Sequence, residues 1–371
     1  MSIGNNVIAN KEPLIRITKR ADISSYKAWA IRLIAVVFSL IVCGLVIVAI
    51  IGENPIKVYL GIIDGAVGRN RRLWVTIREM MTLLIIAIGL TPAFRMRFWN
   101  IGAEGQLLMG GAATAALMIY FGDTLPNGLL LVLIFAASGA AGMIWGVIPA
   151  FFKAYFNTNE TLFTLMLNYV AIQIINFCIV YWENPAGSNT VGIINSATQH
   201  GWLPKLFGLT YGWNVIIVLT ITVAIFIYMK YGKQGYEIAV VGESHNTARY
   251  AGIDVKKVII RTMLLSGAIC GLAGAIIVSG GSHTISISTG GGRGFTAIIV
   301  AWMSKFNPWA MIIVSAFLVF MEQGSIQIAT QYGLNANASD IITGIILFFL
   351  IGCEFFINYK VDFYKKKKEV L

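Results

Sequence analysis

Apolar runs long enough to cross a bilayer alternate with short polar connections along nearly the whole chain. At about 1.5 Å rise per residue, about 20 apolar helical residues span a hydrocarbon core of about 30 Å. That rule predicts spans at Ala30–Ile51, Trp74–Phe94, Ile101–Phe121, Gly128–Phe152, Thr161–Trp182, Trp213–Tyr231, Ile259–Gly281, Pro308–Gln331 and Asp340–Ile357. One further run, Gly294–Ser304, is too short to cross straight and is predicted to be broken or re-entrant. The fold class is therefore all-α integral membrane protein, with about ten transmembrane helices. Residues 1–29 form an N-terminal tail, 30–358 a single membrane domain and 359–371 a basic C-terminal tail. A polar island of about 27 residues, Gly232 to Val258 (GKQGYEIAVVGESHNTARYAGIDVKKV), interrupts the second half.

Composition sharpens the class: 57% of 371 residues are hydrophobic and 12% charged, with a mean hydropathy of +0.75, more apolar surface than a soluble core hides. The excess of 28 Lys and Arg over 17 Asp and Glu falls mostly in short connections, which reads as topogenic charge and not as a nucleic-acid surface. With both termini cytoplasmic, 21 of the 28 lie inside: those within Lys11–Arg32, Arg95, Arg97, Lys153, those within Lys230–Arg261, Lys305, and those within Lys360–Lys368. Lys57, Arg69, Arg71, Arg72, Arg78, Lys205 and Arg293 remain outside or in spans, and the Arg69–Arg72 cluster fits an interfacial segment. The polar lead before the first span is too long for a secretory signal, so that span is expected to stay as an anchor.

Several chemistries have no footing in these residues. Cys43, Cys178, Cys270 and Cys353 sit in apolar spans without paired spacing, and His200, His245 and His283 are far apart, so no disulfide framework, metal site or catalytic cluster is expected. No GxxxxGK[ST] phosphate loop occurs, so any ATP driving this protein is bound by another polypeptide. Gly292–Ala297 formally fits GxGxxA, but without a surrounding βαβ unit its glycines are better read as a flexible opening to the short eighth span.

Two passages depart from ordinary span chemistry. FWNIGAEGQLLMGG, Phe98 to Gly111, places Glu104 and Gln106 near the start of an apolar helix, where a carboxylate needs a partner or water. In the second, Asn157 to Asn176, Glu160, Thr164 and Asn168 share one helical face, with Gln173 and Asn176 deeper along the span. The second half has a counterpart: Gly290–Trp302 opens a span with glycines, and Gln323, Gln327 and Gln331 form a polar stripe in the next, beside Glu322. Corresponding glycine-interrupted helices predict two inverted-topology halves. These polar groups either bond helix to helix or line a pathway. Gly142 and Gly146, with Gly267, Gly271 and Gly274, form small-residue stripes for close helix packing within the chain or between subunits.

Four strings carry a resemblance: NIGAEGQLLMGG (Asn100 to Gly111), NETLFTLMLNYVA (Asn159 to Ala171), GYEIAVVGESHNTARYAGI (Gly235 to Ile253) and, following it, SGAICGLAGA (Ser266 to Ala275). Together they cover much of Phe98–Ala275. They resemble the permease subunits of bacterial ABC importers of the branched-chain amino acid and simple-sugar class, closest to the nucleoside-importer branch. The resemblance implies a plasma-membrane permease that binds no cofactor itself. It also implies a cytoplasmic ATPase partner, an extracellular substrate-binding lipoprotein, and a second homologous permease that is a different chain. The island would then dock on the ATPase, with Val240, Val241, Ala248, Tyr250, Ala251 and Ile253 as an apolar face and Glu237, Glu243, Arg249, Lys256 and Lys257 at the rim. Gly242 and Gly252 would punctuate its short helices. Ala239 stands where the family often carries a basic residue. On this reading Gly242→Pro or Ala251→Asp would abolish uptake and ATPase co-purification but leave insertion intact.

A nucleoside is uncharged, with a flat base and a hydroxylated sugar. Phe98, Trp99, Phe295 and Trp302 suit stacking, and Asn100, Gln106, Thr164 and Asn168 suit hydrogen bonding, with Glu104, Glu160, Gln323 and Gln327 completing the candidate pathway. Alternatives are the same machinery for ribose-like or galactose-like sugars, or an ion-coupled carrier using Glu104, Glu160 or Glu322.

Overall fold

The structure is a computed structural model that describes residues 15–20, 23–52, 54–333 and 336–363; Lys11 and the basic residues Lys365–Lys368 counted above lie outside them. The described residues form thirteen α-helices and a two-stranded sheet, in the order β1 (Ile15–Lys19), α1 (Ser25–Ile51), α2 (Pro55–Val67), α3 (Asn70–Arg95), α4 (Ala103–Phe121), α5 (Asn127–Phe156), α6 (Glu160–Trp182), α7 (Gly212–Tyr231), α8 (Lys233–Glu243), α9 (His245–Tyr250), α10 (Val255–Ile277), α11 (Arg293–Met303), α12 (Pro308–Gln331), α13 (Ala336–Asn358) and β2 (Tyr359–Phe363). A π-helical turn, Val278–Ser282, extends α10. Among the described residues, six helical segments have the length and apolarity to cross a membrane: α3, α5, α6, α7, α10 with its π turn, and α12. Shorter apolar stretches lie at 30–46, 293–303 and 347–358.

The chain divides into two compact units. The smaller takes the residues up to Ile62 and those from Ser325 onward. There α1 packs on α13 through Phe38 and Phe349, edge to face at 5.2 Å, and through an Arg32–Glu354 ion pair of 2.6 Å. The strands flanking these helices pair antiparallel, Ile15 opposite Phe363 and Lys19 opposite Tyr359.

The larger unit runs from Ile63 to Gly324 and is organised around α3, α4, α5 and α10. Glycine decides how closely these pack. A side chain on Gly271 would fall on the Ser138 carbonyl, and one on Gly142 on the Gly267 carbonyl, so α10 and α5 meet backbone to backbone. Gly110 meets Gly271 and Gly274 meets Gly111 in the same way, bringing α4 into the same contact. The glycine stripes of the sequence therefore work inside the chain. α4 carries Glu104 and Gln106 near its start, and most of its residues up to Ala115 are buried.

The helix α2 has no counterpart among the predicted spans. Its 13 residues rise about 20 Å, too little to cross straight. It leads into the Arg69–Arg72 cluster, where Arg72 pairs with Asp64 at 2.6 Å and Ala66 O accepts from the Thr76 hydroxyl at 2.8 Å.

The island folds as α8 and α9, with Ser244 and Asp254 as side-chain N-caps of α9 and α10. Gly242 lies against the Arg95 carbonyl at the end of α3, a contact that excludes any side chain. At the other end of the bundle the α6–α7 connection is stitched down by polar contacts. Leu203 N donates to Ser279 O at 3.1 Å, Ile194 N to His283 O at 2.8 Å, and Asn195 Nδ2 to Met118 O at 2.8 Å.

Candidate functional site

Between α3 and α4 the chain leaves the helix at Arg95 and starts a new one at Ala103, so the backbone of 96–102 cannot satisfy itself as a helix does. At membrane depth each unpaired peptide group is costly. Side chains close the gap. Thr164 Oγ1 accepts from Ile101 N at 3.1 Å, and Asn168 donates to Ile101 O and accepts from Gly105 N, both at 2.9 Å. Asn100, fully buried, accepts from Gly102 N at 3.0 Å and reaches Gln106 and Ser266 at 3.3 Å. The Thr164–Asn168 face of α6 thus holds the irregular segment ahead of α4, and Glu160, one turn earlier, pairs with Lys153 at 2.9 Å.

Glu104 is buried and bonds in the same fashion. Its two carboxylate oxygens accept from Gly292 N at 2.9 Å and Gly294 N at 2.7 Å. Those amides open α11, whose 11 residues begin inside the bundle. Glu104 itself occupies the first turn of α4. One negative charge therefore sits at the positive ends of two helix dipoles and satisfies two of the orphan N–H groups of a half-helix. Gly290 and Gly294 both lie against this carboxylate or its backbone, with no room for a side chain.

The aromatic candidates separate. Trp99 and Trp302 stack at 5.4 Å, both nearly half exposed, with Phe94 edge-on to each at 5.9 and 6.0 Å. Phe98 is buried, and Phe295 is exposed on α11. Gln323 and Gln327 are half-buried on α12, and none of the hydrogen bonds described around Glu104 involves them.

In the island, Ile238, Val241, Gly242 and Ala248 turn inward. Tyr236, Glu243, Arg249, Tyr250, Ala251 and Gly252 are exposed, whereas Val240, Ile253 and Glu237 are partly covered, Glu237 in an ion pair with Arg261. The apolar face expected from sequence is thus split between the bundle and the surface.

A cluster that sequence spacing did not reveal joins α3 to the start of α11. Glu79, buried, pairs with Arg78 and, at 2.5 Å, with Arg293, while Arg78 lies 5.1 Å over the Tyr211 ring. Adjacent residue numbers hide the first pair, and more than 200 positions separate the second. Beside them lies His283, stacked on Trp202 at 3.6 Å in the connection that follows the π turn. Burial, and then the Arg78 charge, pull its pKa from 6.5 down to about 4. The folded protein keeps this imidazole neutral where the unfolded chain would protonate it, so stability falls as pH drops from about 6.5 to about 4 and levels off below. Thermal melts across that window are expected to show this slope, and His283→Gln to flatten it.

The family described as the branched-chain amino acid transport system, permease component, matches residues 75–351. The chain belongs to that family. It is a multi-pass membrane permease subunit, and the broken helix at Glu104 and the folded island both lie within the matched region. Among similar proteins, the guanosine ABC transporter permease protein NupP of Bacillus subtilis (strain 168) is 29% identical over 91% of this chain and 97% of its own length. The glucose ABC transporter permease protein TsgB13 of Haloferax volcanii is 26% identical, over 94% and 93%. The nucleoside ABC transporter permease protein NupB of Lactococcus lactis subsp. cremoris is 26% identical, over 86% and 90%.

Proposed function

We propose that this chain forms the translocation pathway of an ATP-driven importer of nucleosides, moved by a separate cytoplasmic ATPase and supplied by an extracellular binding protein. The observation that carries the reading is the pair of helices, α4 and α11, that begin inside the bundle and share one carboxylate, within a chain similar to a guanosine and a nucleoside permease. Interrupted helices of this kind line solute pathways in transporters built from inverted halves. Trp99 and Trp302 offer stacking surface for a base, and Phe295 a further exposed ring.

The island and both tails face the cytoplasm in this reading. Pairing of Ile15–Lys19 with Tyr359–Phe363 supports a reading with both ends of the membrane domain on one side and an even number of crossings, ten included. α8, α9 and the turn after α9 present Tyr236, Arg249, Tyr250 and Ala251 to the ATPase, and Val241, Gly242 and Ala248 transmit its motion by their seat against the bundle. One island per chain and two docking grooves per ATPase pair call for a second permease, here a different homologous chain.

Ala251→Asp, on the exposed turn, is expected to abolish ATPase co-purification and uptake while the permease still inserts and melts normally. Gly242→Pro tests something else, because Gly242 abuts Arg95 O and its loss would disturb the island's own seat. Affinity purification of the tagged chain with stoichiometry by mass is expected to return one ATPase pair and one second permease. Recovery of the chain alone or as a homodimer would refute this assembly. Sugar transport is the second reading, favoured by the similarity to TsgB13. Tight retention of ribose or glucose, and not guanosine or uridine, by the cognate binding protein would establish it.

A further inference from the structure

The Arg78–Glu79–Arg293 cluster forms one wall of a cavity of about 210 Å³. Its other walls are mostly hydroxyl-bearing: Thr82, Ser282, Thr284, Ser286, Ser288 and Thr289. Some of these hydroxyls also bond locally: Thr82 donates to Arg78 O and Ser282 to Thr284 O, both at 3.0 Å. Ser286 and Ser288 Oγ lie 3.0 Å apart, and Ser286 Oγ is 3.3 Å from Thr289 Oγ1, so the hydroxyls form a chain in which each atom can donate or accept. The bond to Glu79 uses one of the five N–H donors of Arg293.

We propose that this cavity is a binding subsite for the vicinal hydroxyls of a neutral sugar ring. The inference rests on the importer reading and names the part of the solute that the site takes. A sugar hydroxyl both donates and accepts, matching a wall of hydroxyls, guanidinium donors and one carboxylate, whereas an anion would use the donors alone and leave the Glu79 carboxylate, which already offsets one of the two guanidinium charges, without a role. Size points the same way. Sites that enclose a whole drug-sized ligand measure roughly 300–1,000 Å³, so this one takes a ring and leaves an attached base outside. Its position suits a receiving site. It adjoins the start of α11, whose first residue, Arg293, is the cavity wall and whose opening amides are held by Glu104. A ring bound here would touch the half-helix at the point where its anchorage is set.

Saturation-transfer NMR on the full-length permease in nanodiscs, with methyl β-ribofuranoside as probe, tests this. The wild type is expected to give ring-proton signals that Ser286→Ala/Ser288→Ala reduces at least fivefold and inorganic phosphate leaves unchanged. The two serines are partly or fully exposed, and an unchanged melting temperature would show that the variant folds. Absence of a riboside signal, indifference to the variant, or displacement by phosphate would overturn the subsite, the last in favour of an anion site. Guanosine uptake by the same permease with its ATPase and binding protein separates the two claims. ATP-driven uptake without a riboside signal sinks the subsite alone, and a riboside signal without ATP-driven uptake sinks the importer reading alone.

Discussion

Replacing Glu104 with alanine is expected to abolish uptake and lower the melting temperature of the purified permease, while the chain still inserts. The substitution strips the amides of Gly292 and Gly294 of their acceptor inside the bundle. Hydrogen bonds to a charged group contribute about 1.5–3 kcal/mol each, and a buried donor left without a partner costs a comparable amount. Glu104→Gln keeps one carbonyl acceptor but loses the charge at the two helix N-termini and brings an N–H₂ towards an N–H donor. It is expected to be intermediate in stability and poor in uptake. Fluorescence-detected size-exclusion melts with parallel uptake assays check both variants. A wild-type melt for Glu104→Ala would mean that α11 is held by something other than this carboxylate.

Gly271→Val is expected to have the second large effect, a loss of most folded protein. Its Cβ would collide with the Ser138 carbonyl and lie 3.0 Å from Gly142 Cα, both backbone atoms that cannot rotate away. Overpacking a close-packed interior costs about 1–3 kcal/mol and occasionally more, and two fixed backbone neighbours put this site at the upper end. Gly139→Ala on α5 is the control. Its added methyl would meet only Leu272 at 3.7–3.8 Å, an ordinary contact, so yield and melting temperature should stay near wild type.

The membrane class and the broken helix were legible in the sequence because both rest on local rules. Residue hydropathy and length placed the run Gly294–Ser304 within one residue of the helix Arg293–Met303 and marked it as too short to cross. The i, i+4 spacing of Thr164 and Asn168 announced a face that needed a polar neighbour. The neighbour could not be read, because it is backbone: the amides and carbonyl of 101–105 have no signature in residue type. Glu104 was visible as a carboxylate in need of a partner, and its partners are again two glycine amides nearly 190 positions away. Helix α2 escaped because its 13 residues fall below the spanning rule. The Arg78–Glu79–Arg293 cluster escaped because charge counting treated its two arginines as topological exceptions, while the fold gives both of them Glu79 as a partner. The island's apolar residues were expected to form one docking face, whereas Val241 and Ala248 are taken up by the bundle.

Uptake of guanosine into vesicles carrying the chain with its co-purifying ATPase and second permease, with binding protein on the substrate side, distinguishes an ATP-driven importer from an ion-coupled carrier. An ATP-driven importer gives accumulation that requires hydrolysable ATP and survives an ionophore. Accumulation that an ionophore abolishes and that continues without ATP would contradict it and identify an ion-coupled carrier.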